Sequence, residues 1–311
     1  MSRRRKGRDV HGIVLLDKPA GYSSNQAVQK VRWLFQARKA GHTGSLDPFA
    51  TGMLPLCLGE ASKTAGFMLN ASKTYLARAR LGQATTTGDI EGEISATAAT
   101  PTLDQAGIAA VLTGFEGTIR QVPPMYSALK HEGQPLYRLA RAGREVPREA
   151  REVTIHSLHL VSWEAPLLTF RVTCSKGTYV RTLAEDLAVR LGSCAHLVAL
   201  RRLEVEPFRE SDMVTLERLE ALAGAGRIDD CLLPPDAGLA GWPVVRLDAD
   251  AARRFGHGNA VDRITGSPGP VRVYGPDDAL LGLGEVMANR VLRARRLMHL
   301  AAAGSGPETD K

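Results

Sequence analysis

One acidic side chain stands where a catalytic group would be well placed. Asp47 lies in residues 42–52 (HTGSLDPFATG), where glycines permit unusual backbone angles and Pro48 fixes its own. The run has neither the alternation of a strand nor the spacing of a helix, so it predicts a loop before the apolar segment 53–58. A carboxylate in a stiff loop can act as a nucleophile or a base. The alternative is an ordinary Asp-Pro turn, in which the side chain caps backbone amides.

Five further motifs accompany this loop along the chain. They are 17–25 (DKPAGYSSN), 73–75 (KTY), 123–130 (PPMYSALK), 174–182 (CSKGTYVRT) and 200–203 (LRRL). With the Asp47 loop they resemble, in the same order, the motifs of the TruB-type tRNA pseudouridine synthases in their stand-alone bacterial form. Six motifs in family order are far more specific than one. The chain departs from the commonest family spelling only in small ways, such as Phe49 in place of an aliphatic residue.

The resemblance implies an isomerase that converts the T-loop uridine at tRNA position 55 into pseudouridine. This reaction breaks the C1′–N1 bond and rejoins the ribose to C5 of the same base, so no cofactor and no metal ion is expected. By resemblance Asp47 is the nucleophile. Three chemical paths stay open for it: attack at C6 of the base, attack at C1′, or removal of a proton from C2′.

The resemblance also assigns two roles beside the catalytic Asp47. Arg181 matches the arginine that pairs with this aspartate, and an opposed guanidinium favours the charged form of a carboxylate. Tyr75 matches the tyrosine that stacks on the flipped base and assists proton transfer. On the residues alone, the favoured interpretation of Tyr75 is an ordinary inward-facing strand tyrosine.

Four more side chains are expected to bind the substrate or support the site. Tyr179 matches a position that contacts the base, and Leu200 matches an apolar wall of the uracil pocket. His42 matches the residue that fills the place left by a flipped uridine, although a lone histidine is more often a packing residue. Lys18 matches a motif that packs beneath the site, although a Lys-Pro pair at a strand end is also a common turn.

Composition is consistent with an RNA partner and argues against several other classes. The 311 residues carry a formal charge of +7, which suits a polyanion. The four cysteines form no C-x-x-C pair, so a structural zinc site is not expected. The sequence shows no signal peptide, and no apolar run approaches the ~20 residues of a membrane helix. We expect a cytoplasmic protein that acts on tRNA as a monomer, without a membrane and without an obligatory protein partner.

Periodicity predicts an α+β fold around a mixed, largely antiparallel sheet with flanking helices. The expected strands are 12–16, 73–81, 153–163, 167–174, 244–247, 271–274 and 280–287, and the expected helices are 25–35 and 178–191. The last three strands are short and separated by glycine and proline, which suggests a small C-terminal barrel. By position and size this part resembles the PUA domain of the family, which binds the acceptor end of tRNA. A structural appendage without RNA contact is the alternative.

The sequence divides into an arm, a catalytic domain, a second domain and a tail. The expected bounds are a basic arm at 1–9, a catalytic domain at 10–240 with a thumb-like insertion near 121–151, a PUA-like domain at 241–301 and a disordered tail at 302–311. The arm reads as a phosphate-binding segment or as a merely solvated tail. The insertion is rich in Pro, Gly and Arg, which favours a loop that closes on tRNA over a plain surface excursion.

Two rival functions remain open at this point. One is the guide-RNA-dependent relative of the family, which shares the catalytic motifs and the PUA domain but works with partner proteins. The other is an RNA-binding protein that helps tRNA fold, with isomerisation as an incidental activity. The thumb-like insertion favours the stand-alone enzyme over the first rival. The full set of catalytic positions argues against a purely binding role, and help with tRNA folding is compatible with the enzyme.

Overall fold

The computed structural model describes residues 7–300, which contain seventeen strands and seven α-helices. The strands are β1 (Gly12–Lys18), β2 (Ala40–His42), β3 (Thr51–Leu58), β4 (Lys73–Leu81), β5 (Gln83–Thr85), β6 (Ile94–Thr97), β7 (Gly117–Gln121), β8 (Lys130–His131), β9 (Gln134–Pro135), β10 (Arg151–Glu164), β11 (Leu167–Cys174), β12 (Ala195–Val205), β13 (Val214–Thr215), β14 (Val244–Arg246), β15 (Gly269–Tyr274), β16 (Leu280–Val286) and β17 (Leu292–Leu297). The helices are α1 (Ser24–Leu34), α2 (Ala65–Met68), α3 (Gln105–Thr113), α4 (Leu136–Arg141), α5 (Val180–Arg190), α6 (Leu216–Gly224) and α7 (Ala249–Gly256). Residues 1–6 of the expected arm and the expected tail lie outside the described residues.

A nine-stranded sheet forms the centre of the larger part of the molecule. Its strand order is β13-β1-β3-β12-β4-β11-β10-β7, and β2 pairs with β3 beside this path. The pairs β1–β13 and β3–β12 are parallel and the remaining pairs are antiparallel. The predicted α+β fold with a mixed, largely antiparallel sheet is therefore confirmed. Every strand and helix predicted by periodicity is present, and each predicted end lies within two residues of the observed one.

Helices cover one face of this sheet because their apolar residues recur at helical spacing. Leu183 and Leu187 of α5 are fully buried, as is Val31 of α1. Helices α3 and α6 complete the same core. Helix α1 begins at a capping box in which Ser23 and Gln26 exchange hydrogen bonds. This cap fixes where α1 starts, directly beside the loop that carries Asp47.

The insertion at 121–151 has more regular structure than its sequence suggests. It holds the short hairpin β8–β9 and the helix α4. Leu136 and Leu139 of α4 are buried, so the helix packs against its surroundings despite the many neighbouring arginines. The insertion joins the edge strand β7 to β10, and it therefore arises at one end of the large sheet.

The C-terminal part has a sheet and a core of its own. Strands β14-β15-β16-β17 form an open path, so the expected closed barrel is not formed within residues 7–300. The physical reason is that β14 has three residues and pairs only with β15, while β17 pairs with β16 and forms one further bridge, between Leu292 and Val261, which does not join it to β14. Phe255 of α7 packs with the sheet residues into a separate apolar cluster. No helix in the described chain is both long and apolar enough to cross a membrane.

Candidate active site

A cavity of about 680 Å³ opens beside the large sheet, at the loop between β2 and β3. Its volume is within the range of ligand sites in proteins, about 300–1,000 Å³. Five of the seven predicted site residues line it: Asp47, Tyr75, Tyr179, Arg181 and Leu200. These residues are separated by up to 153 positions in the sequence, and the sheet brings them together. Lys18 and His42 lie outside the lining.

The centre of the cavity is an ion pair with two contacts. Nε of Arg181 lies 3.0 Å from Oδ2 of Asp47, and its Nη2 donates a hydrogen bond of 3.3 Å to Oδ1. The guanidinium therefore contacts both oxygens of the carboxylate, which is the bidentate geometry that arginine favours with a carboxylate. The Arg181 side chain is 5% exposed and that of Asp47 is 36% exposed, so the arginine fixes the aspartate from behind and leaves it open to the cavity.

Arg181 is itself held on its other sides by three more acceptors. It lies in the first turn of α5 and donates to the backbone carbonyls of Thr87, at 2.6 Å, and Tyr126, at 2.7 Å. A second carboxylate, that of Asp89, lies 3.5 Å from Nη1. Asp89 is almost fully buried and accepts a hydrogen bond of 2.5 Å from the hydroxyl of Thr87. One guanidinium thus joins two carboxylates, and only Asp47 reaches the open cavity.

Burial is the main influence on the ionisation of Asp47. It raises the pKa of this carboxyl above its ordinary value, and the positive charge of Arg181 opposes that rise. The nearby charge of Asp89 raises the pKa further, and that of Lys18 lowers it. The aspartate is therefore more basic than a surface aspartate, and Arg181 favours its charged form.

Contacts on both sides fix the loop around Asp47. The hydroxyl of Ser24, at the start of α1, donates to the carbonyl of Leu46 at 3.0 Å and accepts from its amide at 2.8 Å. Lys18 is fully buried and donates to the carbonyl of Pro48 at 3.2 Å, and also to those of Pro19 and Tyr22. Burial lowers the pKa of Lys18 to about 8. Lys18 therefore contacts the catalytic loop, and its expected part in substrate binding or support of the site stays a prediction.

Arg202 of β12 holds the same loop from below. Its guanidinium donates to the carbonyls of Gly44 at 3.1 Å, Ser45 at 3.3 Å and Met53 at 2.6 Å. It is 1% exposed. Its backbone lies so close to Gly52 that an added Cβ there would press into the carbonyl oxygen of Arg202. The positive φ of Gly52, +96°, also requires glycine at this point.

Two tyrosines line the cavity. Tyr75 lies on β4, directly opposite Arg202 of β12 and Val172 of β11. Burial raises the pKa of its phenol. Tyr179 precedes α5, and its backbone exchanges two hydrogen bonds with the side chain of Gln121, at 3.0 and 3.3 Å. Burial raises the pKa of Tyr179 as well, so both phenols stay protonated at neutral pH.

His42 is placed differently from the other predicted residues. Its Nδ1 accepts a hydrogen bond of 3.2 Å from the amide of Gly44, so it caps the turn that leads into the catalytic loop. Burial, aided by the charge of Arg202, lowers the pKa of His42. The imidazole is therefore neutral near pH 7. The contact supports the turn before the catalytic loop, and the expected role of His42 in tRNA binding stays a prediction.

Two residues at the centre of the site were missed by sequence reasoning. Asp89 follows Gly88 in a polar turn, and such a turn gives no sign that its carboxylate reaches an arginine some ninety positions later. Arg202 belongs to the recognised motif 200–203, but its partners are backbone carbonyls, which any sequence supplies. Only the motif itself could have directed attention to Arg202. Within residues 7–300 no cluster of three or more His, Cys, Asp or Glu side chains is arranged to hold a metal ion.

Comparison with known proteins decides the family. Three family models match consecutive parts of the chain: a TruB family pseudouridylate synthase N-terminal domain at 32–180, a tRNA pseudouridylate synthase B C-terminal domain at 181–240, and a pseudouridine synthase II TruB C-terminal domain at 243–298. A tRNA pseudouridine synthase B from Nitrosococcus oceani is 50% identical over 300 residues, which covers 95% of this chain and 97% of that protein. The chain belongs to the TruB family. A second member, tRNA pseudouridine synthase B from Pseudomonas aeruginosa, is 52% identical over 300 residues, with 94% and 97% covered.

Two solved structures of larger assemblies contain a chain that is similar to this TruB chain. A structure of a Cbf5-Nop10-Gar1 complex matches with a TM-score of 0.71 and 25% identity, covering 92% of this chain and 84% of that one. A structure of an H/ACA RNP bound to a substrate RNA containing 2′-deoxyuridine matches with a TM-score of 0.72 and 21% identity, covering 96% and 92%. At 21% identity, the match to the H/ACA RNP structure shows only that the two chains share a fold. Both matches extend over the sheet and the C-terminal part together.

Proposed function

We propose that this chain is a stand-alone tRNA pseudouridine synthase that isomerises the T-loop uridine at position 55. Membership of the TruB family supplies the reaction class. The observation that carries the residue assignment is the two-contact pair of Asp47 and Arg181 at the floor of an open cavity. That cavity also presents Tyr75 and Leu200, an aromatic and an aliphatic side chain suited to the faces of a uracil ring.

Asp47 acts at the junction of sugar and base, where the C1′–N1 bond breaks. Each of the three chemical paths, attack at C6, attack at C1′ and deprotonation at C2′, needs the carboxylate in its ionised form. Arg181 supplies the positive charge that keeps it ionised in a cavity from which bound RNA excludes water. The same pairing fixes the direction of the two oxygens before the substrate arrives, and such preorganisation lowers the cost of reaching the transition state.

Tyr75, Tyr179 and Leu200 receive the uracil once the nucleotide has turned out of the tRNA loop. Stacking of a base on an aromatic ring is worth about 1–3 kcal/mol, which offsets part of the few kcal/mol that flipping costs. Tyr75 is the aromatic platform and assists proton transfer, and its raised pKa means that the phenol is protonated at neutral pH. His42 fills the vacated place in the tRNA loop, and Lys18 supports the catalytic loop from beneath.

Exposed basic residues supply the wider RNA surface of the proposed enzyme. In the insertion they are Lys130, Arg138, Arg141, Arg144 and Arg151, and in the C-terminal part they are Arg253, Arg254, Arg290, Arg293, Arg295 and Arg296. We assign the T-loop to the insertion at 121–151 of the catalytic domain, 10–240. We assign the acceptor stem to the C-terminal domain, 241–301. Phosphate contacts of this kind set the position of an RNA without reading its sequence.

The proposed enzyme acts as a monomer in the cytoplasm and needs no protein partner. The main rival is a partner-dependent enzyme, since one similar structure is a complex named for three proteins. The insertion at 121–151 favours independent action because it gives this single chain a basic surface next to the cavity. An accompanying role in tRNA folding is compatible with that surface and needs no catalysis.

Pseudouridine mapping on an unmodified tRNA transcript tests the proposal. Wild type, Asp47→Asn and the control Asp230→Asn are compared, with no metal, cofactor or second protein added; Asp230 is an exposed carboxylate paired with Arg227. We expect conversion of the T-loop uridine alone, lost in Asp47→Asn while tRNA still binds, and kept in the control. Tight binding without conversion by the wild type would refute the stand-alone enzyme. It would leave a partner-dependent enzyme or an RNA-folding protein.

A further inference from the structure

We infer that Arg202 is a positioning residue that sets the conformation of the Asp47 loop through three simultaneous contacts to its backbone. The inference rests on the proposed function, because it gives Arg202 a part in the same reaction. Arg202 lines the same cavity and its guanidinium lies beside the phenol of Tyr75, but it makes no ion pair with Asp47. Its effect on catalysis passes through the loop.

The contacts of Arg202 reach both ends of the catalytic loop. The carbonyls of Gly44 and Ser45 precede Asp47 by two or three residues, and that of Met53 follows it by six. A single planar guanidinium therefore ties the entry and the exit of the loop to one point. The loop cannot open or slide without breaking at least one of these bonds.

The backbone of Arg202 adds a second constraint. Strand β12 runs parallel to the first residues of β3, with Arg202 beside Gly52, and the two backbones approach too closely for any side chain at 52. On its other side β12 pairs with β4, where Arg202 stands opposite Tyr75. Directly opposed residues project to the same face of a sheet, so the arginine lies between the Asp47 loop and the proposed stacking tyrosine.

The charge of Arg202 has no carboxylate partner among residues 7–300. Two other arginines near the site pair with acids: Arg181 with Asp47 and Asp89, and Arg201 with Asp17 and Glu210. Arg202 is the most buried of these arginines, and its N–H groups donate to backbone carbonyls. Burying a guanidinium without an ion pair is costly, and its hydrogen bonds to backbone carbonyls offset that cost. Those hydrogen bonds also fix the conformation of the backbone that Arg202 contacts.

Arg201 offers a matched control at the next position. It lies on the same strand but projects to the opposite face, where it makes two hydrogen bonds of 2.9 Å to Asp17 and is about one-third exposed. The test compares Arg202→Lys, Arg202→Gln, Arg201→Lys and Arg201→Gln. Lysine keeps the charge but, as a single point donor, it cannot span both ends of the loop.

Hydrogen exchange of the free proteins is the first measurement, and it requires no activity. We expect faster exchange in residues 44–50 of both Arg202 variants, with the amides of β4 and β11 unchanged, and no such change in the Arg201 variants. Loosening spread evenly over the sheet would overturn the inference, because Arg202 would then support the core and not the loop. Failure of both Arg202 variants to fold would overturn it for the same reason.

Single-turnover conversion of tRNA is the second measurement. A misplacement of about 1 Å can cost about 10²-fold in rate, so we expect the Arg202 variants to lose roughly this factor at saturating enzyme. We expect their tRNA dissociation constants to stay within about threefold of wild type, and the Arg201 rates to stay near wild type. A full rate in Arg202→Lys would overturn the inference. An inactive wild type with the expected exchange pattern would refute the proposed function and leave the positioning of the loop intact.

Discussion

Replacing Arg181 by methionine should separate the stability of the site from its chemistry. The change removes a buried cation that lies 3.5 Å from the almost fully buried carboxylate of Asp89 and 3.0 Å from the open carboxylate of Asp47. It also frees the carbonyls of Thr87 and Tyr126. Removal of one partner from a buried pair typically costs about 3–5 kcal/mol. Because Asp47 is partly exposed and screened by water, most of that loss should come from Asp89 and the two carbonyls.

A second substitution tests that division. In the background Arg181→Met, Asp89→Asn removes the charge left without a partner, and it should restore about 1–3 kcal/mol of the free energy of unfolding. It should not restore the rate of isomerisation, since Asp47 still lacks its cation. Urea unfolding and single-turnover conversion measure the two quantities. If the double variant were as unstable as Arg181→Met or less stable, the unpaired Asp89 carboxylate would not be the source of the lost free energy of unfolding, and the reasoning would be refuted.

The pH dependence of the same variant gives an independent check. Burial raises the pKa of Asp47 and the charge of Arg181 opposes that rise, so Arg181→Met should raise the pKa further. Activity needs the ionised carboxylate, so it is lost as the pH falls through this pKa. The acidic limb of the single-turnover rate should therefore lie above the ordinary value for aspartate, about 3.9, and move to higher pH in the variant. An unmoved limb would contradict the assignment of Arg181.

Three further predictions concern the supports of the site and the second domain. The pKa of Lys18 is lowered to about 8, so between pH 8 and about 10.4 this side chain binds fewer protons in the folded than in the unfolded chain. The free energy of unfolding of the wild type should therefore rise relative to that of Lys18→Met as the pH rises, by at most about 1.4 kcal/mol per pH unit, measured by urea unfolding. Gly52→Ala should destabilise the protein by about 2 kcal/mol or more in urea, whereas Gly21→Ala, with positive φ but open space, should cost about 1 kcal/mol. Burial and the hydrogen bond to Asp236 raise the pKa of Tyr274 to about 12, so Asp236→Asn should lower it in an alkaline absorbance titration.

The fold was predictable where local pattern and tertiary packing agree. Alternation along 73–81 marked β4 because one face of that strand is buried throughout, and leucines at every fourth position marked α5 for the same reason. The C-terminal sheet shows where the pattern stops. Short strands are visible in a sequence, but closure into a barrel depends on the register and tilt of all strands together. Here β14 and β17 do not pair with each other, and no residue pattern indicated that.

The residues of the candidate site were predictable where they belong to recognisable sequence motifs. Asp47, Arg181 and Tyr75 carry recognisable local sequences, and the structure brings them to one cavity. The partners of Arg202 could not be predicted in this way, because a backbone carbonyl has no sequence signature. Asp89 could not either, since its buried contact with Arg181 is created by the path of the chain between them. Contacts to backbone and contacts across long separations are therefore the parts that only the structure supplies.

Three of the buried cations of the site explain why an irregular loop can present a catalytic carboxylate reproducibly. Lys18, Arg181 and Arg202 donate to eight backbone carbonyls between them, most of them in segments outside helices and away from sheet partners. Buried carbonyls without a partner are costly, so these donors remove the main penalty of folding such a loop inside the protein. Because Lys18 and Arg202 are occupied by carbonyls, only Arg181 faces the oxygens of Asp47. The positive charge thus stabilises the shape of the loop, while Arg181 is the cation that most strongly favours the ionised form of Asp47.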